Sequence, residues 1–204
     1  SKRGMGTYEL LAAEARVSEV AQATIIPNLS IVTSSTALAG AEIELVSAEN
    51  REYRLKDALR RPLPYDYVII DCPPSLNLLT LNGLVSAHSV LVPLQTEFFA
   101  LEGLSQLMLT IREIRQTANP TLRIEGVLLT MHDTRNRLAQ QVEADAREAL
   151  GDLVFRTTIP RNVRVSEAPS FAQPVLSYDS NSKGAEAYRA FAREILQRNP
   201  LTAK

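Results

Sequence analysis

Residues 65–76 read Tyr65-Asp66-Tyr67-Val68-Ile69-Ile70-Asp71-Cys72-Pro73-Pro74-Ser75-Leu76. Tyr67 to Ile70 is a continuous apolar run, and it stops at a carboxylate followed shortly by two prolines. A run without polar alternation predicts a strand buried on both faces, as in parallel sheets covered by helices. Ser89-Val90-Leu91-Val92, Ile124 to Leu129 and Val154 to Ile159 are three further strand candidates. Leu29-Ser30-Ile31-Val32-Thr33, bounded by Pro27-Asn28 and a Ser/Thr cluster, is another upstream. Helical patterns lie between them. Leu101, Leu104, Met108, Ile111 and Ile114 recur three or four apart along one face, and 136–150 and 183–197 behave similarly. Strand and helix in alternation predict an α/β fold with a doubly wound, mostly parallel sheet flanked by helices. With no repeat, low-complexity tract or composition shift, residues 1–204 read as a single domain.

In open parallel sheets, ligands bind beyond the carboxyl ends of the strands. The segments that follow the proposed strands are Asp71 to Pro74, Pro93 to Glu97, Thr130-Met131-His132-Asp133 and Pro160-Arg161-Asn162-Val163-Arg164. They are the polar, proline-marked and charged parts of the chain, and they are expected to meet along one rim. Asp71 has the character of a carboxylate that a strand fixes near a nucleotide's Mg²⁺, a hard ion that takes oxygen ligands. A turn or helix cap ahead of Pro73 is the bland alternative.

Composition narrows the function classes. The chain is 45% hydrophobic and 22% charged, as in ordinary globular proteins, and its formal net charge is −1. That charge excludes a global basic footprint, so any nucleic-acid contact must come from a local cluster. Cys72 is the sole cysteine, which excludes an internal disulfide and a multi-cysteine metal site within one chain. No stretch approaches the roughly 18–20 apolar residues of a membrane span. The opening Ser1-Lys2-Arg3-Gly4, without an initiator methionine, reads as a cut end.

The stretch 65–76 resembles the Walker B region of the ParA family of partitioning ATPases. Further segments match in the family's order: Leu38 to Glu42, Val92 to Leu104, Gly126 to Met131 leading to Asp133 and Arg135, Ile159 to Ser170, and Ser182 to Tyr188. The resemblance covers almost the whole chain. It implies a deviant P-loop NTPase that binds ATP and Mg²⁺ as a dimer sandwich. It also implies nonspecific DNA binding, stimulation by a ParB-type partner, and a cytoplasmic, nucleoid-associated location without membrane attachment. Carried over, Asp71 is the Walker B carboxylate, holding Mg²⁺ through water. Thr130, Met131, Pro160, Arg161, Asn162 and Val163 resemble the walls of the adenine pocket. Arg135 and Arg164 resemble arginines that contact DNA phosphates, where guanidinium forks suit backbone contact. Arg137, Arg161 and Lys183 extend that patch if the fold gathers them. Without the resemblance, solvated surface arginines are the simpler reading. Cys72 is expected to be a small buried residue, and His132 lies on the rim without a metal-spaced partner.

A Walker A loop needs clustered glycines followed by Lys and Ser/Thr, so that backbone N–H groups cradle phosphate. The lysines here are Lys2, Lys56, Lys183 and Lys204, and none follows a glycine. The family's loop is therefore expected upstream of Ser1, and the chain as given is expected to hydrolyse ATP poorly or not at all. Loss of the strand that feeds the loop would also expose apolar edges and lower solubility. Two alternatives stay open: a ParA-like protein that binds DNA or a partner without catalysis, and a MinD-like membrane-cycling ATPase. The tail from Ile195 counts against the second, because Pro200 breaks it and its apolar face is small.

Overall fold

The computed structural model describes residues 4–200. The opening residues 1–3, part of the stretch read as a cut end, lie outside the described residues, as do Lys2, Lys204 and the rest of tail residues 201–204. The described residues form two compact units: the first runs up to His88 and adds Ile114–Leu122, and the second holds the remainder.

The first unit is mainly helical, with α1 Thr7–Leu11, α2 Val17–Val20, α3 Ala37–Leu45, α4 Arg54–Leu59 and α5 Leu78–Ser86. Leu11, Ala41, Leu45 and Leu55 form one buried cluster, and Leu10, Val17 and Val20 form another. Asn82 of α5 is fully buried and fully used. Its Oδ1 accepts from Leu55 N at 3.1 Å, and its Nδ2 donates to the carbonyls of Arg51 and Leu78 at 2.9 and 3.0 Å. Burial of such an amide is tolerated because each polar atom is paired. Asn119, also buried, donates to the Leu84 and Ala87 carbonyls and fastens the end of α5.

Two strand expectations are corrected in this unit. The Leu29–Thr33 candidate is a two-residue strand, β2 Ser30–Ile31, paired antiparallel with β1 Gln22–Ala23 and half exposed at Ile31. The Tyr67–Ile70 run joins no ladder among the described residues, and it is not buried: Val68 is 51% and Ile69 92% exposed. An apolar run becomes a buried strand only where neighbouring strands take up its backbone N–H and C=O groups. No described strand does so here.

The second unit carries the parallel sheet. Strand β3, Ser89–Gln95, pairs in parallel with β4, Arg123–Thr130, in a register that slips by one residue between Val90 and Leu91. The slip leaves Glu125 as a bulge, followed by Gly126 at φ +155°. A Cβ on Gly126 would meet the Phe155 ring at 2.6 Å and the Leu153 carbonyl at 2.7 Å, so glycine is required at this turn in the backbone. Val154–Ile159 runs beside β4, with Phe155 N donating to the Val127 carbonyl and Ile159 N to that of Leu129. Isolated parallel bridges replace a continuous third strand there.

Helices cover both faces of this sheet. Val127 and Leu129 point to one side and pack with Leu104 of α6 (Ala100–Thr117) and Ala146 of α7 (Arg137–Leu150). Leu128 points to the other side and packs with Phe155, Ile159 and Phe191 of α10 (Lys183–Arg198). The alternation follows from the two-residue period of a strand. Each such fully buried Leu, Val or Phe contributes on the order of 1.5–3 kcal/mol. The short α8 (Val163–Glu167) and α9 (Val175–Tyr178) connect the sheet to α10, which begins at the Ser182 cap.

Candidate functional site

Within the second unit, the segments that follow the strands are stitched together by backbone hydrogen bonds. Thr96 N donates to the Thr130 carbonyl at 3.2 Å. His132 N donates to the Ile159 carbonyl, and Arg161 N to the His132 carbonyl, both at 3.0 Å. His132 and Pro160 form a parallel bridge. Thr130, Met131, Pro160 and Arg161, widely separated in sequence, thus make one ledge at the carboxyl ends of the strands. Met131 stands at φ +54°, a left-handed conformation that costs a non-glycine residue about 1 kcal/mol or more. Such strain persists only where the surroundings over-determine it, and here the backbone is held immediately before and after. Thr96 is buried, and its Oγ1 has no hydrogen-bond partner among the described residues.

Asn162 continues the ledge as the cap of α8. Its Oδ1 accepts from Arg164 N at 2.9 Å and Val165 N at 3.3 Å, which leaves Val163, at the first helical position, 70% exposed. The segment is packed from behind by Gly184 of α10, where a Cβ would collide with Val165 Cγ2 and crowd Asn162 at 3.3 Å. Proline-fixed backbone with an exposed apolar side chain at Val163 suits one face of a flat base.

Arg135 and Arg164 are both exposed, and both are engaged. Arg135 grips Asp133 with Nε and Nη2, each at 3.0 Å, and its backbone N adds a third bond to the same carboxylate. Those hydrogen bonds, the side-chain bond first, hold the Asp133 carboxyl down at about 2, with Arg161 adding a smaller push in the same direction. The carboxylate in turn raises the Arg135 guanidinium above its usual range. Arg164 Nη1 lies 2.9 Å from Glu167 Oε2, and its Nε lies 3.3 Å from Asp179 Oδ2. Its hydrogen bond to Glu167 likewise raises it. Asp133 and Glu167 stand two and three residues from their arginines and were legible in sequence; Asp179 is brought in by the fold.

Lys183 lies in a different setting. It lines an open groove of about 710 Å³ with Thr157, Thr158, Glu186, Arg189 and Arg193. Arg189 holds the carbonyl and hydroxyl oxygens of Ser180, whereas Lys183 and Arg193 make no ion pair among the described residues. The recurrence of 186, 189, 190 and 193 on one helical face was the available signal for the groove.

Asp71 belongs to the first unit and is exposed at the end of the Tyr67–Ile70 run. Cys72 is exposed, against the expectation of a buried residue. Its Sγ nevertheless lies against α5 at Gly83, and the desolvation there, with the Asp71 charge second, raises the thiol's pKa. A thiol held protonated is a poor nucleophile. Among the described residues no group of three or more His, Cys, Asp or Glu side chains is placed to hold a metal.

The sequence and fold have relatives. A family model of an AAA domain matches residues 2–124. The chromosome partitioning protein ParA of Caulobacter vibrioides is 52% identical over 201 residues, a match covering 97% of this chain and 75% of that protein. The sporulation initiation inhibitor protein Soj of Bacillus subtilis is 50% identical over 189 residues, covering 92% of this chain and 75% of that one. Among solved structures, the cobyrinic acid a,c-diamide synthase of Mycobacterium smegmatis, with a bound ATP analogue and magnesium, superposes with a TM-score of 0.78 at 37% identity. It covers 95% of this chain and 72% of that one. A parallel α/β sheet with helices on both faces and about half-identity to proteins named ParA and Soj lead to one conclusion: this chain belongs to the ParA/Soj family of chromosome-partitioning ATPases, with the P-loop NTPase fold.

Proposed function

We propose that these residues form the greater part of a DNA-segregation ATPase that binds ATP and Mg²⁺, engages DNA without sequence preference and is stimulated by a ParB-type partner. The observation that carries this reading is the ledge: Thr130-Met131 and Pro160–Val163 are bonded into one surface around His132, with Met131 in a strained conformation. The family resemblance assigns those same residues to the adenine pocket. Asp71, an exposed carboxylate without a competing ion pair among the described residues, suits a Mg²⁺ held mostly by water and phosphate oxygens. The metal, when bound, neutralises phosphate charge during transfer.

The 204 residues contain no glycine-rich loop followed by lysine, so a polypeptide of these residues alone turns ATP over poorly or not at all. The dimer sandwich and a nucleoid-associated, cytoplasmic location follow from the same reading. The identity to the chromosome partitioning protein ParA, 52%, exceeds the 37% to the diamide synthase structure, which favours partitioning over amide synthesis.

DNA binding is tested on the full-length protein with ATP and Mg²⁺, by anisotropy of a nonspecific duplex across a salt series. Each phosphate contact contributes about 0.9 to the slope of log K against log salt. Arg135→Ala with Arg164→Ala is expected to flatten that slope by about 2. An unchanged slope overturns the assignment of those arginines to DNA.

A further inference from the structure

His132 is 7% exposed, although it stands in a connection beyond the strand rather than in the sheet. Its Nε2 lies 2.8 Å from Glu143 Oε2 of α7, off the line of a straight N–H···O bond, and has no other partner among the described residues. The other Glu143 oxygen takes Arg147 Nε at 2.9 Å, and Arg147 Nη1 reaches the Phe155 carbonyl at 3.2 Å. The Glu143 carboxylate is therefore held from two sides by a residue one helical turn on and by the imidazole beneath the ledge.

We propose that Glu143, acting through His132, is a positioning residue that fixes the ledge in its base-binding shape and thereby sets nucleotide affinity and base preference. The proposal rests on the reading of 130–131 and 160–163 as a base pocket. His132 is the residue whose backbone bonds to both Ile159 and Arg161, and it directly follows the left-handed Met131. Whatever fixes its side chain fixes both halves of the ledge together. A buried imidazole beside a carboxylate is a costly way to fill space, since both groups lose hydration. Such pairs add little net stability compared with apolar residues of the same volume, and defining one geometry is the use that the ledge has for it.

The test is steady-state turnover of ATP and of GTP by the full-length protein, with thermal melting of each variant. Glu143→Ala is expected to raise KM for ATP about tenfold with kcat within about twofold, and to narrow the preference for ATP over GTP by a similar factor. Glu143→Gln, which keeps an oxygen facing His132, is expected to restore KM to within about threefold. If Glu143→Ala does not fold, Arg147→Met loosens the same carboxylate and is expected to raise KM about threefold. A lowered melting temperature with KM and base preference unchanged would overturn the proposal. Val163→Asp, at an exposed ledge position, separates the two levels: it is expected to raise KM for ATP if the ledge binds the base. A KM raised by Val163→Asp but not by the Glu143 and Arg147 variants removes the positioning role alone. A KM unmoved by Val163→Asp removes the base-pocket reading itself.

Discussion

Arg135 and Arg164 carry the DNA-contact reading, yet each faces a carboxylate of its own chain. An exposed ion pair is weak in water. It is still enough to compete with a single phosphate contact. The Arg135–Asp133 pair contributes above the ordinary carboxylate value near 3.9 and is lost only as pH falls through about 2. It is therefore intact throughout the physiological range, and only another anion displaces it. Asp133→Asn is accordingly expected to tighten nonspecific DNA binding about two- to fivefold. That gain should vanish in the Arg135→Ala background, and Asp152→Asn, which removes a charge remote from these arginines in sequence, should not reproduce it. An equal gain from Asp152→Asn would mean that net charge, not the pair, sets affinity. The arginines were singled out through the family resemblance, since residue type alone favours a solvated surface. That Asp179 faces Arg164 was not legible, since fourteen intervening residues, α9 among them, must fold first.

Helices α6, α7 and α10 were legible from their three-to-four-residue apolar period, and β3 and β4 from short apolar runs lying between helical patterns. Helix α6 spans Ala100–Thr117, close to the stripe read from Leu101 to Ile114. The Tyr67–Ile70 run was misread as a buried strand because a strand is a property of its neighbours as well as its own residues. Val154–Ile159 is the intermediate case: one edge bonds to β4, and on the other Glu194 of α10 accepts from the backbone N–H groups of Arg156 and Thr157 at 2.8 and 2.9 Å. Burial alone would raise the Glu194 carboxyl, but those bonds outweigh it and the group is lowered overall. A carboxylate on an open edge both satisfies two amides and bars a further strand. Glu194→Ala is expected to cost about 1–2 kcal/mol, a fall in Tm of several degrees, and to promote association. A variant as stable and as monomeric as its parent would show that the edge needs no cover. At Gly126, alanine adds a clash of about 1–3 kcal/mol to a forbidden φ, and a fall in Tm of roughly 5–15 °C is expected by calorimetry. An unchanged Tm would mean the bulge can relax.

At the scale of the whole molecule, family and fold class were readable because ordered segments along nearly the entire chain agree with one another. Catalytic competence was not readable in the same way, because these 204 residues hold no glycine-rich loop followed by lysine, and the role proposed for Asp71 depends on such a loop. The exposed apolar side chains of Val68 and Ile69 belong to this scale too, as surface that a polypeptide of these residues leaves in water. The most direct measurement is magnesium-dependent ATP hydrolysis by the full-length protein, alone and with DNA and a ParB-type partner, for wild type and Asp71→Ala. A partitioning ATPase is expected to turn over slowly alone and faster with both present, and to lose at least tenfold in kcat when Asp71 is replaced. Turnover that ignores DNA and partner, or that survives Asp71→Ala intact, would contradict it.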